Sequence, residues 1–517
     1  MKTYSILFIL CIFHFTALSQ TTFQRVFGGV GNDEGYCVKR LPSGGYINAG
    51  TVQNMETDDY DGFLLRTNSN GDTLWTKRYG GINNDNLMSV ALTSDGGFIL
   101  SGSIGDEGIN HSICLIKTDE NGDTTWTRSL GGYGWASGNS VGVTADNGYL
   151  VSGLLNTSTM TSELFAAKFN SVGDTLWTRY FGGLYEEKGS SFRQLNDGGF
   201  IIAGSTESFG AGQGDAYLLK VNAEGDTAWT KTYGGINRDV VNSIDITLDG
   251  GFILAGETES FGAGSNDVYL IRTTSNGDTL WTRTFGNENV NVANSVLQTN
   301  DGGFLITGTS EGSEPGSYDI YLIKTNHNGD TLWTRSYGGE DENHGWSSEF
   351  TNEGGYITYG STSRYGAGGL DAYLLKLDAS GNSGCSQNQM TTAVGSTLTV
   401  IGNPPTTVHK GSVRTHSIIH IENGAVVSDP CAENFIGAMM MKDHPEVFPN
   451  PFSHSIIVTG TIAGGMITVL DLSGKIIHKL GASAQSTQID TDNWSPGFYI
   501  LQYVNGGKCH SVKIAKI

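Results

Sequence analysis

Gly71-Asp72-Thr73-Leu74-Trp75-Thr76-Lys77-Arg78-Tyr79-Gly80-Gly81 decides the reading of this chain, because the chain writes it repeatedly. Its tryptophan returns as Trp126, Trp177, Trp229, Trp281 and Trp333, at spacings of 51, 51, 52, 52 and 52 residues. Gly-Asp-Thr precedes each one, an aromatic residue or leucine follows four positions on, and Gly-Gly or Gly286-Asn287 closes the unit. A headless copy, Phe23-Gln24-Arg25-Val26-Phe27-Gly28-Gly29, lies 52 residues before Trp75. A fixed period of this length is the signature of a repeat architecture.

One period shows what each repeat builds. Residues 243–247 read as a strand, and Leu248-Asp249-Gly250-Gly251 as a hairpin turn in which glycine permits positive φ. Residues 252–256 form a second strand, apolar enough to be buried on both faces, and 267–272 a third. The turn Ser275-Asn276-Gly277-Asp278 returns the chain into the Trp281 strand, the fourth. Four short antiparallel strands with no helical period make one sheet, and seven such sheets stacked radially make a β-propeller. The last copy runs through Asp371-Ala372-Tyr373-Leu374-Leu375-Lys376 to Ala379-Ser380-Gly381-Asn382 and has no Trp strand after it. The orphan segment 23–27 is expected to supply that strand, as the outermost of the seventh sheet; an open solenoid of the same sheets is the alternative.

Bulk composition agrees. With 74 glycines but only 9 prolines in 517 residues, the chain suits many tight turns between short strands. A net charge of −22 argues against a nucleic-acid partner, which demands a basic footprint. It suits an exported surface able to meet divalent cations. Residues 1–19 read as a signal peptide: Lys2, an apolar run over 6–15, and Ala17-Leu18-Ser19 before Gln20. That run is too short to span a bilayer, and no later run is long enough, so no transmembrane span is expected. Of six cysteines, Cys11 falls in the signal. Cys37 and Cys114 sit inside repeat strands and read as small buried fillers. Cys385 and Cys431 flank one short region and read as a disulfide in an oxidising compartment, contributing up to ~4 kcal/mol if loop entropy governs.

Residues two apart on a strand share a face, so each Trp strand presents an aromatic–basic–aromatic trio such as Trp333/Arg335/Tyr337 or Trp229/Lys231/Tyr233. The structural expectation is packing between neighbouring blades, with cation–π contacts; the other reading is a ring of ligand-binding aromatic clefts. A second basic series, Arg66, Lys117, Lys168, Lys220, Arg272, Lys324 and Lys376, recurs on the third strand. The two series hold 14 of the 30 Lys and Arg, which leaves the acid excess to loops and turns. Two acid series also recur. Asp61, Glu163, Asp215, Asp267, Asp319 and Asp371 open third strands, with Ser112 in the remaining copy. Asp72, Asp123, Asp174, Asp226, Asp278 and Asp330 stand in the turn before the Trp strand. Both are expected to accept backbone hydrogen bonds. The string 119–123, Asp-Glu-Asn-Gly-Asp, has a calcium flavour but lacks the ligand count and later Glu of a calcium loop.

No catalytic, cofactor or metal constellation is expected. His111, His327 and His344 are scattered, and Gly138-Asn139-Ser140-Val141-Gly142 lacks the helix that a nucleophile elbow needs. Uniform four-strand copies leave only short loops for the two opposed carboxylates of a glycoside hydrolase. The least uniform loops are 53–59, 131–138 (with Trp135) and 339–346, where a binding face is expected first.

From 385 to 442 the repeat is gone, and the segment reads as a β-rich spacer. His416 and His420 on a strand stand ~13 Å apart, too far to share one ion. Residues 443–517 alternate apolar and polar residues between turns at Ser473-Gly474, Pro496-Gly497 and Asn505-Gly506-Gly507, the pattern of a small Ig-like β-sandwich of about seven strands.

Two resemblances follow. The spacing from Trp-Thr-Arg through Gly-Gly, Asp-Gly-Gly and Asp-x-Tyr-Leu resembles bacterial seven-bladed propeller repeats, over about 22–384. Pro449-Asn450-Pro451, Asp471 to Gly474-Lys475, Gly497-Phe498-Tyr499 and the basic end of the chain resemble the type A C-terminal sorting domain of the type IX secretion system. That second resemblance implies a Bacteroidota-type bacterium and a partner in the type IX machinery. It also implies a product secreted or held at the outer-membrane surface, the domain often being removed. The expectation is a non-enzymatic exported propeller serving as an interaction or adhesion scaffold, with surface polysaccharide or another protein as partner. The alternatives are a glycan-binding or glycan-processing propeller and a calcium-stabilised adhesin.

Overall fold

The computed structural model describes residues 21–384 except 56, 82, 106–110, 132–133, 157–160, 313–315 and 340. Beyond these it describes 387–388, 393–395, 400–402, 407–409 and 426–428, then 446–448, 455–461, 466–471, 475–481, 485–505 and 508–516. The expected signal peptide, Cys385, Cys431, Pro449, Asn450, Pro451 and Gly474 lie outside the described residues. Every described element is a strand. The chain divides into two compact units, Met1–Phe435 and Ile436–Ile517.

Unit one holds seven four-stranded antiparallel sheets, termed blades in chain order. Blades 1 to 6 occupy residues 33–79, 86–130, 136–182, 187–234, 239–286 and 291–337. Blade 7 takes its inner three strands from 343–377 and its fourth from Phe23–Gly28, in the register Phe23↔Lys376, Arg25↔Leu374 and Phe27↔Ala372. A separate apolar core fills each junction. Tyr79, Leu64, Leu87, Phe98 and Leu100 join blades 1 and 2, and the pattern continues around the ring. Phe27, Tyr359, Val38 and Phe63 then join blade 7 back to blade 1. Seven junctions for seven sheets close the ring, so unit one is a β-propeller, and the seam lies between blades 7 and 1.

The repeat's small residues set the turns. Gly277 holds φ +79, and a Cβ there would stand 3.0 Å from the Trp229 indole of the preceding blade. Only glycine satisfies both demands. Because strands alternate in direction, the turns within strand pairs 1–2 and 3–4 lie on one face. The 2–3 loops and the blade-to-blade crossovers lie on the other, called here the crossover face.

Within the segment read as a β-rich spacer, the described strands form a belt around the ring. Gln387–Asn388 adds a fifth strand to blade 6, Ala393–Gly395 to blade 5, Val400–Gly402 to blade 4 and Thr407–His409 to blade 3. Val426–Ser428 then pairs with Phe23–Gly28 on blade 7. The residues facing the last aromatic of blades 6, 5, 4 and 3 are Gln387, Val394, Ile401 and Val408, one blade per seven residues. An outer strand is an unpaired edge that invites association, and the belt covers it on these five blades. The described strands of this segment, from Gln387 to Ser428, thus belong to the propeller unit.

Unit two has two antiparallel sheets. One orders Glu446–Phe448, Ser455–Thr461 and Gln485–Asp490; the other orders Ile476–Gly481, Met466–Asp471, Gly497–Asn505 and Lys508–Lys516. Ile456, Val458 and Ile489 of the first meet Ile467, Val469, Tyr499 and Leu501 of the second in one core.

Candidate functional site

The repeated side chains are used up by the ring itself. Each Trp of blades 1 to 6 lies against the turn glycine of the next blade, and Phe23 against Gly71. Trp177 Nε1 donates to Ala223 O at 2.9 Å. Tyr79 and Tyr233 hydroxyls donate to Gly122 O and Gly277 O at 2.7 and 2.6 Å. The cation of the trio, where it is arginine, sits over its own strand's ring, Arg128 at 5.1 Å from Trp126 and Arg335 at 5.7 Å from Trp333. It also reaches the next blade's turn acid: Lys77 to Asp123 at 2.9 Å, Lys231 to Asp278 at 3.3 Å. These aromatic residues therefore pack blade on blade.

The turn acids differ from expectation. In the 3–4 turn the backbone amides go to the residue four positions earlier: Asn70 N and Asp72 N donate to Asn68 Oδ1 at 2.9 and 3.0 Å. Asp72 takes the Asn68 side-chain amide instead. Three of the third-strand acids accept backbone amides as expected: Asp215 Oδ2 from Ala211 N at 2.9 Å and Gly212 N at 3.2 Å, Asp267 Oδ2 from Ala263 N at 2.7 Å, and Asp319 Oδ1 from Gly339 N at 2.9 Å; Asp61 pairs instead with Arg78. Sequence reasoning missed the partner of the second basic series. Lys117, Lys168, Lys220, Lys324 and Lys376 each reach the acid of their own 1–2 turn, Asp95, Asp146, Asp197, Asp301 and Glu353, at 2.8–2.9 Å, and Arg272 pairs likewise with Asp249. The signal was legible: blade 1 has Ser43 at that turn position, and there Arg66 turns to Glu120 O at 2.8 Å.

What remains unexplained by the repeat gathers at the seam. At the matching position of the seven inner strands stand Tyr36, Met88, Asn139, Ser190, Asn242, Asn294 and Trp346. The three asparagines stitch to the next blade's backbone, at Gly189 O, Ala293 O and Gly345 O, 2.9–3.0 Å away. Tyr36 and Trp346 make no such stitch; they meet edge to face across the seam, centroids 5.5 Å apart at 80°. Trp346 continues to His344 (6.4 Å) and His344 to Tyr318 of blade 6 (5.6 Å). Glu342 Oε1 lies 2.9 Å from His344 Nε2. Glu34 sits beside them, its carboxyl pushed up by burial against the pull of the Tyr36 hydroxyl and His344, with Glu342 adding to the rise. Burial, then Glu34, pushes the Tyr36 phenol far above its usual range. Four rings and two carboxylates thus meet on the crossover face, all but Glu342 only partly exposed.

Of the three irregular loops, two converge here. Residues 339–346 supply Glu342, His344 and Trp346. The 53–59 loop docks on the seam crossover, Gln53 Oε1 accepting from Asn32 N at 2.9 Å. The third, 131–138, stands at the junction of blades 2 and 3, where Trp135 stacks on His111 at 4.2 Å. The crossovers also expose apolar tips at one repeated place: Val30, Leu184 and Ile236 are 63%, 84% and 77% exposed. Among the described residues no three His, Cys, Asp or Glu side chains gather as a metal set. Cys37 and Cys114 are buried free thiols in the core between blades 1 and 2. Among the described residues a cavity lies at that same junction, lined by Tyr79, Asp85, Cys114 and Arg128.

In unit two, Lys475 N donates to Asp471 Oδ1 at 3.1 Å and Asp471 N to Lys475 O at 3.0 Å, tying together two residues of one sorting motif. Tyr499 donates to Ser495 O at 2.6 Å and packs on Trp494 at 5.1 Å, just after Gly497 opens its strand at φ +149.

Residues 446–516 match the family described as the secretion system C-terminal sorting domain. The chain therefore carries such a domain, the one its motifs resemble, and with it a signal for export to the cell surface or medium. No helix among the described residues is long and apolar enough to cross a membrane. Over 174 residues the chain is 26% identical to a protein of Caulobacter vibrioides named "Regulatory protein FlaEY", covering 29% of this chain but only 18% of that one. Among solved structures, PorZ, a surface component of the type-IX secretion system of Porphyromonas gingivalis, aligns with 95% of this chain and 100% of its own at 10% identity and TM-score 0.21. The Neurospora crassa Pan2 WD40 domain aligns with 68% of this chain and 90% of its own, at 10% identity and TM-score 0.40. Sqt1 of Chaetomium thermophilum aligns with 65% and 81%, at 12% identity and TM-score 0.38.

Proposed function

We propose that this chain is a non-enzymatic binding protein, exported by the type IX route of a Bacteroidota-type bacterium and released or attached at the outer-membrane surface. The propeller serves as a rigid interaction and adhesion scaffold, and its crossover face at the seam makes the contact. One observation carries this reading. Tyr36 and Trp346, the two rings of the seam cluster, stand where the other inner strands carry the stitching Asn139, Asn242 and Asn294 or the single side chains Met88 and Ser190.

A second reading, carbohydrate as the ligand, is favoured by the same cluster. Ring faces take the C–H face of a sugar while carboxylates orient its hydroxyls, the pairing of apolar walls with a few placed polar groups that small-ligand sites use. The full chain is tested on a glycan array, followed by an assay for newly formed reducing ends. Binding without new reducing ends, abolished in Trp346→Ala, supports both readings. Release of reducing ends overturns the non-enzymatic one. Binding that survives Tyr36→Ala and Trp346→Ala moves the contact elsewhere.

A further inference from the structure

We propose that the ring contains a proton-operated clamp: at four of its seven junctions a proton held between two opposed carboxyl groups draws neighbouring blades together, and its loss loosens them. The geometry repeats. An acid opening the third strand of one blade faces the residue opening the inner strand of the next, across the glycine that ends the outer strand. Asp61 and Asp85 crowd the place where a Cβ on Gly80 would stand. Glu163 and Glu187 do so at Gly182, Asp215 and Asp239 at Gly234, and Asp371 and Asp33 at Gly28. Glu187 and Asp239 are fully buried and Asp371 is 1% exposed.

The other three junctions show that the fold does not require the second acid. Asp267 meets Asn291 at Gly286, and Asp319 meets Asn343 at Gly338, with the same crowding. At the junction of blades 2 and 3, Ser112 lies beside Gly131 and the next inner strand opens with Ala136. Asparagine fills the same place, its Oδ1 accepting from Ser310 Oγ (2.7 Å) or Thr362 Oγ1 (2.6 Å), where Glu187 accepts from Thr206 Oγ1 (2.7 Å).

Two buried carboxyls so close cannot both ionise cheaply, and they share a proton. The surroundings decide which member holds it. At the 3/4 junction Glu187 accepts from Gly183 N, Ser208 N and Thr206, and Glu163 is pushed up to about 7 by burial, then by Glu187. At 4/5, Asp239 accepts from Gly235 N, Thr258 and Ser260, and Asp215 is pushed up to about 6 by burial, then by Asp239. At the seam Asp371 is pushed up to about 7 by burial, then by Asp33, against the Ala367 and Gly368 amides. Asp33 rises to about 6 by burial, against the Gly29 and Gln53 amides and Arg78; Tyr359 packs beside it. At 1/2, Arg78 pairs with Asp61, and Asp85 rises to about 7 by burial, with Asp61 and Asp59 adding to it.

A carboxyl raised on folding stabilises the fold fully below its unfolded value, near 3.8 for Asp, and that contribution is lost as pH rises through 6 to 7. The ring is thus tightest in mild acid. Asp33 directly precedes Glu34, so one clamp sits under the candidate binding site, but the inference stands without any ligand there.

The test uses the full chain and the chain's own precedent. In Asp33→Asn/Asp85→Asn/Glu187→Gln/Asp239→Asn the thermal midpoint at pH 8 rises and the gap between pH 5 and pH 8, about 5 °C or more in the parent, falls by at least half. The reverse variant, Asn291→Asp/Asn343→Asp, widens that gap. Infrared difference spectra show a protonated-carboxyl band in the parent at pH 6 that weakens in the fourfold variant. If that variant does not fold, the reverse variant and the parent's infrared band still decide. A parent midpoint flat from pH 5 to 8, a reverse variant with an unchanged gap, or no protonated carboxyl at pH 6 overturns the proposal.

Discussion

Val427 pairs with Phe27. The belt's last described strand thereby holds the first strand of the ring from outside, while Ala372 of the blade 7 third strand holds it from inside. Phe27 is fully buried between them. The chain's beginning is clamped by two segments that come some 345 and 400 residues later, so the belt braces the strand that closes the ring.

A chain ending at residue 384 should accordingly melt lower than one ending at 445, by about 5 °C or more, because five outer edges lose their fifth strand. Differential scanning calorimetry at one scan rate decides it. Equal midpoints would show that the belt adds nothing.

Trp229→Ala should destabilise by about 2–3 kcal/mol, somewhat less than for a fully buried tryptophan, since its ring is only partly covered. Gly277→Ala should cost about 1–2 kcal/mol, from φ +79 and the approach to that same indole. The two costs should fall short of additive, because the residues touch. Leu280→Ser, with Leu280 54% exposed on the same strand as Trp281, should change denaturant midpoints little.

The in-blade ion pairs give the opposite pH dependence to the junction acids. Asp95 and Asp301 are held down to about 2: hydrogen bonds from Thr93 or Thr299, the Lys117 or Lys324 ammonium and a glycine amide outweigh burial. Their contribution is present above 3.8 and is lost as pH falls through about 2. The acids are more than half exposed, so Asp301→Asn should cost under about 1 kcal/mol at pH 7 and nothing at pH 2. Ser43→Asp should supply blade 1 with the missing partner of Arg66 and add a few tenths of a kcal/mol at pH 7, measured by urea unfolding.

For the seam cluster, Tyr36→Ala and Trp346→Ala should each weaken ligand binding about tenfold or more while leaving the circular dichroism spectrum unchanged, as truncated aromatic anchors do. Trp135→Ala, at another junction, should leave affinity within about twofold. Calcium chelation should leave the melting midpoint where it was; a fall would favour the calcium-stabilised adhesin.

Much of the fold was legible because the repeat writes it. The missing Trp strand after Lys376 and the spare strand at Phe23 pointed to one another. The belt was illegible because short strands such as Thr407–His409 carry no period-two pattern of their own; they are strands only through the edge they join. The junction acids were half legible. Asp215 and its kin were visible as a series, but Asp239 stands 24 residues on, in another blade, and only closure brings the two together. The seam cluster was located by its irregular loop, 339–346, but not by its partner Tyr36, whose strand looks ordinary in sequence.

Amide hydrogen exchange on residues 23–28 tests the closed, belted ring most directly. Protection equal to that of an interior outer strand, Thr227–Gly234, is expected in the full chain, with selective loss of protection in a chain ending at 384. Exchange of 23–28 as fast as a free terminus in the full chain would contradict it.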